Sequence, residues 1–206
     1  MEIAPETVAA HCPACVDVIS AVDMTRAVGP HEGVLRDAVH ALKYHGLLSA
    51  AGPMAARMRD AGRDALRGAD AVIPVPLHPA REWRRGFNQA ELLARRLGPP
   101  AVHVLCRTRA TPPQAGLGAR ARRLNVRDAF ALAAFPRAPG VARWANALGR
   151  WDTRRTAARV QDRVLVLVDD VCTTGATLDA CAAVLKAAGA REVRAITAAR
   201  AVRAPR

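Results

Sequence analysis

Lysine is nearly missing from this chain of 206 residues: Lys43 and Lys186 are the only two, although Lys and Arg together number 31 against 18 Asp and Glu. The formal net charge of +13 predicts attraction to polyanions, either nucleic acid or small phosphorylated metabolites. Alanine and arginine are abundant throughout, so an arginine-rich coding bias raises the charge as well, and the sign alone names no partner. Aromatic residues are scarce, with one tyrosine, three phenylalanines and three tryptophans. No apolar run approaches the roughly eighteen residues that span a bilayer, and the opening MEIAPETVAAH has neither the basic start nor the apolar stretch of a signal peptide. No membrane insertion is expected, and the chain reads as cytoplasmic. The five cysteines, odd in number and irregularly spaced, argue against a disulfide framework and fit a reducing compartment. Six scattered histidines suggest no Ser/His/Asp arrangement.

With 51% apolar residues, the length suits one well-buried domain. Residues 1–30 carry Pro5, Pro13, Gly29 and Pro30 without a periodic pattern, so they read as a lead segment, with regular structure expected from about His31. In EGVLRDAVHALKYHG, Val34, Leu35, Ala38, Val39 and Leu42 recur at helical spacing and Gly46 follows as a stop, which predicts an amphipathic helix. A second helix is expected over about Leu47 to Leu66. ADAVIPVP predicts a short buried strand closed by Pro74 to Pro76. GFNQAELLARRLG predicts a helix ending at Gly98, and AVHVL at Ala101 to Leu105 a further strand. Residues from about Arg107 to Leu124 form a proline- and arginine-rich loop, and about 136–161 a basic insertion with Trp144 and Trp151. Strands separated by helices imply an α/β chain with a mostly parallel sheet flanked by helices.

The densest chemistry lies in VLVLVDDVCTTGAT, Val164 to Thr177. Val164 to Val168 reads as a buried parallel strand, ATLDACAAVLKAAG as a helix and REVRAIT as a closing strand. Val171 to Gly175 then form a tight loop at a helix N-terminus, where backbone N–H groups and hydroxyls make an anion cradle. A phosphate monoester there takes hydrogen bonds around Thr173, Thr174, Gly175, Ala176 and Thr177, with Gly175 allowing close approach. Asp169 and Asp170 are no phosphate ligands; they suit the two hydroxyls of a ribose. The plain alternative is a strand–loop–helix with an ordinary threonine cap and two solvated acids.

That stretch resembles the 5-phosphoribosyl 1-pyrophosphate (PRPP) motif of type I phosphoribosyltransferases. LKYHG at Leu42 to Gly46, PVPLHPAREWRRGFNQAELLARRL at Pro74 to Leu97 and RTRATPPQAGLGARARRLNVRDAF at Arg107 to Phe130 are similar to further signatures of the ComF family of phosphoribosyltransferase-like proteins. The resemblance implies the type I phosphoribosyltransferase fold over 31–206. It implies that Arg81, Arg84 and Arg85 sit where pyrophosphate binds, where an arginine fork suits phosphate oxygens. Arg107, Gln114, Arg120 and Asn125 would lie on the flexible loop that closes over the reacting centre. Ten arginines face two acids between Arg81 and Arg123. The implied chemistry is displacement of pyrophosphate from ribose C1, with Mg²⁺ as cofactor, PRPP as substrate, and Asp169 and Asp170 as the catalytic pair.

Two features depart from the family pattern. Many ComF-type proteins begin with two Cys-x2-Cys pairs resembling a zinc ribbon, whereas only Cys12 and Cys15 are present. A structural zinc site takes four ligands, so the pair reads either as metal-free cysteines or, with His11 or His31, as the remnant of a ribbon. The segment AARAVRAPR after the last strand offers no aromatic to stack on a nucleobase, which leaves the acceptor open. Two functions follow: phosphoribosyl transfer to an unknown acceptor, linked to DNA uptake, or a non-catalytic accessory factor that binds single-stranded DNA through Trp83, Phe87, Trp144, Trp151 and neighbouring arginines. These aromatics read alternatively as core or hinge residues, a reading that suits Phe87 better than the two insertion tryptophans.

Overall fold

The computed structural model describes residues 20–44, 47–109, 128–133 and 153–201. Val164–Cys172 forms the central strand, β5, and its apolar start is buried on both faces. Leu165 and Leu167 project into one apolar cluster, Val166 and Val168 into another, as the two-residue period of a strand requires. Beside β5 run β6, Glu192–Arg200, and β2, Ala71–Pro74; β1, Met24–Pro30, closes the far edge. The order β1-β6-β5-β2 is parallel throughout, with Pro74 opposite Val168, and with Pro30 and Cys172 both opposite Arg200. Every strand therefore ends on the same side. Such an edge is where parallel α/β sheets bind ligands.

One face is covered by α7, Ala176–Ala187, through Leu178, Cys181, Ala182 and Leu185, together with Leu105 and Phe130. The other is covered by α1, Gly33–Tyr44, α2, Ala51–Ala61, and α5, Gln89–Ala94, through Val39, Leu42, Met54, Met58 and Leu93. Each large apolar side chain buried this way contributes about 1.5–3 kcal/mol.

The lead-segment boundary at residue 31 needs correction, because Met24–Pro30 is a strand of the main sheet. Its residues are half-buried up to an exposed Pro30 rather than alternating, as suits an edge strand. The chain just before it is strapped across α7: Asp179 Oδ1 accepts from Ser20 Oγ (3.0 Å) and Ala21 N (2.7 Å), and Lys186 pairs with Asp23 at 2.7 Å. The single helix expected over 47–66 divides into a 3-10 turn, Leu48–Ala50, α2, and α3, Arg63–Leu66. The break falls at Gly62, where a Cβ would stand 2.5 Å from Ile196 Cδ1; the chain approaches the sheet too closely there for a side chain. The strand expected at Ala101 to Leu105 is also displaced. Ala101 makes one bridge to Val72, and the chain then leaves the sheet to form β3, Leu105–Arg107. β3 pairs antiparallel with β4, Phe130–Leu132. At the end of the expected insertion, α6, Arg154–Ala158, buries Thr156, and Val160 enters the core; that stretch is packed into the domain.

Candidate functional site

The apolar run ends at Val168, but β5 continues to Cys172, so Asp169 and Asp170 are both strand residues. Strand alternation then turns them to opposite faces. Asp170 follows Val166 and Val168 toward α1, where Lys43 Nζ lies 3.0 Å from its Oδ2; the two side chains are 21% and 5% exposed. Asp169 follows Leu165 and Leu167 toward α7 and β3, stays half-buried, and accepts the Asp170 backbone N–H at 2.8 Å. Burial, then the adjacent Asp170 charge, pushes the Asp169 carboxyl up to about 7, while Lys43 pulls the other way. The Cys181 thiol on α7 is raised too, first by burial and then by Asp169.

Beyond Cys172 the loop is short. Gly175 adopts φ 78°, a left-handed conformation that a Cβ strains, and a Cβ there would meet no atom within 4 Å. The space above the loop is thus open to a ligand. Helix α7 begins at Ala176, with the Ala176 N–H 3.5 Å from Thr174 Oγ1. Thr173 is exposed, and Thr174 and Thr177 are half-buried in the first turn. The threonine hydroxyls and the first backbone N–H groups of α7 thus gather at one helix N-terminus, an arrangement that suits an anion.

The next arm is α4, Pro79–Arg85. His78 Nδ1 accepts the Ala80 N–H at 3.3 Å, Pro79 takes the first helical position, and left-handed Gly86 closes the helix. Asn88 then does two jobs: Oδ1 accepts the Ala90 N–H that starts α5, and Nδ2 donates to Val75 O, both at 3.0 Å. Val75 N donates to Val168 O at 2.9 Å. In RRGFNQ, therefore, Gly86, Phe87 and Asn88 build the corner that fixes α4 against the strand end, with Phe87 packed on the core. Arg81 and Arg85, one turn apart, are half-buried, and Arg84 is exposed. Trp83 is 68% exposed.

Arg107, expected at the start of the closing loop, ends β3 with its guanidinium 5.2 Å over the Phe130 ring. Burial and then the Arg81 charge lower its pKa, and Cys181 and Asp169 oppose the fall. Arg81, Arg107 and Asp169 thus share one electrostatic neighbourhood. Gln114, Arg120 and Asn125, like Cys12, Cys15, Trp144 and Trp151, lie outside the described residues. Lys43 is the site residue that the motif reading missed. Its signal was compositional: one of two lysines in an arginine-rich chain, inside LKYHG. Among the described residues, no three His, Cys, Asp or Glu side chains gather into a metal cage, and no helix is long and apolar enough to cross a membrane.

A parallel sheet whose central strand runs through two acids into a glycine loop and a helix defines a domain of the phosphoribosyl transferase class, and the phosphoribosyl transferase domain family matches residues 84–205. The chain is 32% identical to Competence protein F of Haemophilus influenzae over 196 residues, covering 90% of this chain and 76% of that protein. It is 36% identical over 131 residues to the DNA utilization protein YhgH of Escherichia coli, spanning 47% of that protein. It is 32% identical over 107 residues to Competence protein ComFC of Bacillus subtilis, spanning 34% of it. The chain belongs to the ComF family, with the phosphoribosyltransferase-like fold.

Proposed function

We propose that this chain binds PRPP with Mg²⁺ and transfers the phosphoribosyl group to an acceptor, releasing pyrophosphate, in the service of DNA uptake. The observation that carries the reading is the meeting, at one sheet edge, of an open cradle at Thr173 to Thr177, the acids Asp169 and Asp170, and the cations Arg81 and Arg107. The cradle would hold the 5-phosphate, the acids the ribose hydroxyls, and α4 with Arg107 the pyrophosphate. The donor set suits Mg²⁺, which binds substrate phosphates and waters with few protein ligands rather than a protein cage. When bound, the ion supplies neutralisation of the leaving pyrophosphate. Asp169, beside ribose C1, would stabilise positive charge as the C1–O bond breaks. The link to DNA uptake draws on the names of the relatives, Competence protein F and DNA utilization protein YhgH.

Calorimetric titration of PRPP with Mg²⁺ tests the reading. Saturable binding is expected for the wild type and none for an Asp169→Asn, Asp170→Asn double variant that keeps its melting profile; no binding by the folded wild type refutes it. A second reading, an accessory factor that binds single-stranded DNA without turnover, is favoured by exposed Trp83 standing among Arg81, Arg84 and Arg85 on α4, since stacking beside positive charge suits single strands. A salt titration of oligonucleotide binding discriminates. Affinity that falls steeply with salt and ignores PRPP supports this second reading, whereas competition by PRPP points to one shared site.

A further inference from the structure

The last turn of α1 has no role in the reading above, yet its two final residues reach different arms of the site. Lys43 Nζ stands 3.0 Å from Asp170 Oδ2. The Tyr44 ring lies beneath the Arg85 guanidinium, 5.6 Å from Cζ to centroid. Leu42, one residue earlier, is fully buried and anchors the turn in the core. His40, one turn earlier, packs against Tyr44 with ring centroids 4.4 Å apart. Arg85 is held from its other side, where Nη1 donates to Gln89 Oε1 at 2.5 Å.

A carboxylate as enclosed as Asp170 requires a cation, because an unpaired buried charge costs several kcal/mol. A lysine meets that need with a compact point charge on a long stem, reaching from a neighbouring helix without the planar fork that would compete for phosphate. Arg85 poses the converse problem: a flexible guanidinium gains as an anion ligand when its direction is set beforehand. The face of Tyr44 sets it.

We propose that the C-terminal turn of α1 is a positioning element of the site: Lys43 fixes the carboxylate of Asp170, Tyr44 fixes the guanidinium of Arg85, and one helical turn thereby sets the spacing between the ribose-holding and pyrophosphate-holding segments. The inference rests on the phosphoribosyl reading. It makes Lys43 and Tyr44 a structural ruler rather than ligand contacts, since neither side chain is assigned to the reacting atoms.

The test is calorimetric titration of PRPP with Mg²⁺ into the full chain and its variants, each also melted thermally. Lys43→Met should weaken PRPP binding at least tenfold, and Lys43→Arg, which keeps the charge but adds a planar fork, should bind more tightly than Lys43→Met yet more weakly than the wild type. Tyr44→Leu should weaken it about threefold, in keeping with the weak energy of an exposed cation–π contact, and Tyr44→Phe should leave it unchanged. Lys43→Met that melts lower but binds PRPP as the wild type does overturns the inference, because the residue is then only a prop for the fold. If Lys43→Met does not fold, the Lys43→Met, Asp170→Asn double variant decides. Binding equal to that of Asp170→Asn alone sustains action through Asp170, and a further tenfold loss overturns it in favour of direct contact. A folded wild type that ignores PRPP sinks the phosphoribosyl reading and the inference with it, whereas a binding wild type with an unimpaired Lys43→Met sinks the inference alone.

Discussion

Replacing Asp169 by asparagine removes one of two adjacent carboxylates from a half-buried position and leaves the Lys43–Asp170 pair in place. Burial and the Asp170 charge raise the Asp169 carboxyl from 3.8 to about 7. A group whose pKa is higher in the folded chain than in the unfolded one contributes stability below its unfolded pKa and loses it as pH rises through the folded pKa. The wild type therefore gives up stability between about pH 4 and about pH 7, and the amide gives up none. At about 1.4 kcal/mol per pH unit the ceiling is on the order of 4 kcal/mol. Partial solvent access and adjustment of Asp170 and Lys43 reduce that to about 1–2 kcal/mol, or about 2–8 °C in melting temperature for a chain of this size. Calorimetric melts of both proteins at pH 4.5 and 8.5 measure it; titrations common to the two, such as that of His31, cancel in the difference. The variant should match the wild type at pH 4.5 and melt several degrees higher at pH 8.5, while losing PRPP binding. An equal difference at both pH values, or a variant that is less stable at pH 8.5, refutes the account of the acid pair as a strained, like-charged neighbourhood.

Other substitutions address the scaffold around the site. Asn88→Ala removes the α5 cap and the tie to Val75 O and should cost about 1–2 kcal/mol, read as a lower midpoint in urea. Gly62→Ala drives a methyl group against Ile196 and the Met58 carbonyl; overpacking of about 1–3 kcal/mol should outweigh the loss of unfolded-chain freedom that alanine brings, and a midpoint at or above the wild type refutes the close approach. Gly175→Ala meets no neighbouring atom but strains a φ of 78°. It should cost about 1–2 kcal/mol of stability and, by reshaping the cradle, weaken PRPP binding at least tenfold in calorimetry.

The parts of the site that could be read in advance are those whose signals are local. In Val164 to Thr177 the apolar run, the hydroxyl-rich loop and the glycine follow one another, and each limits its own backbone. What could not be read depends on partners distant in sequence. β1 is half-buried and mixes Thr25 and Arg26 with apolar residues, and Arg26 is there to meet Asp64; no two-residue period marks it. β3 and β4 are three residues each and find each other across residues 108–129. The opposed facing of Asp169 and Asp170 was hidden for a subtler reason. Polar residues after Val168 look like the end of a strand, yet pairing with β6 continues from Asp169 opposite Thr197 to Cys172 opposite Arg200, so the ladder extends past the hydrophobic signal. Had the strand stopped at Val168, both acids would belong to the loop and Lys43 would have no special place.

The strap of Ser20 and Ala21 over Asp179 has a practical side. Asp179 lies in the first turn of α7, so residue 20 rests on the turn that follows the threonine loop. A small environment-sensitive dye on a cysteine introduced at Ser20 would occupy a listening post: its emission would change when an anion enters the cradle and tightens that turn, giving an optical signal for ligand arrival that needs no knowledge of the acceptor and no turnover.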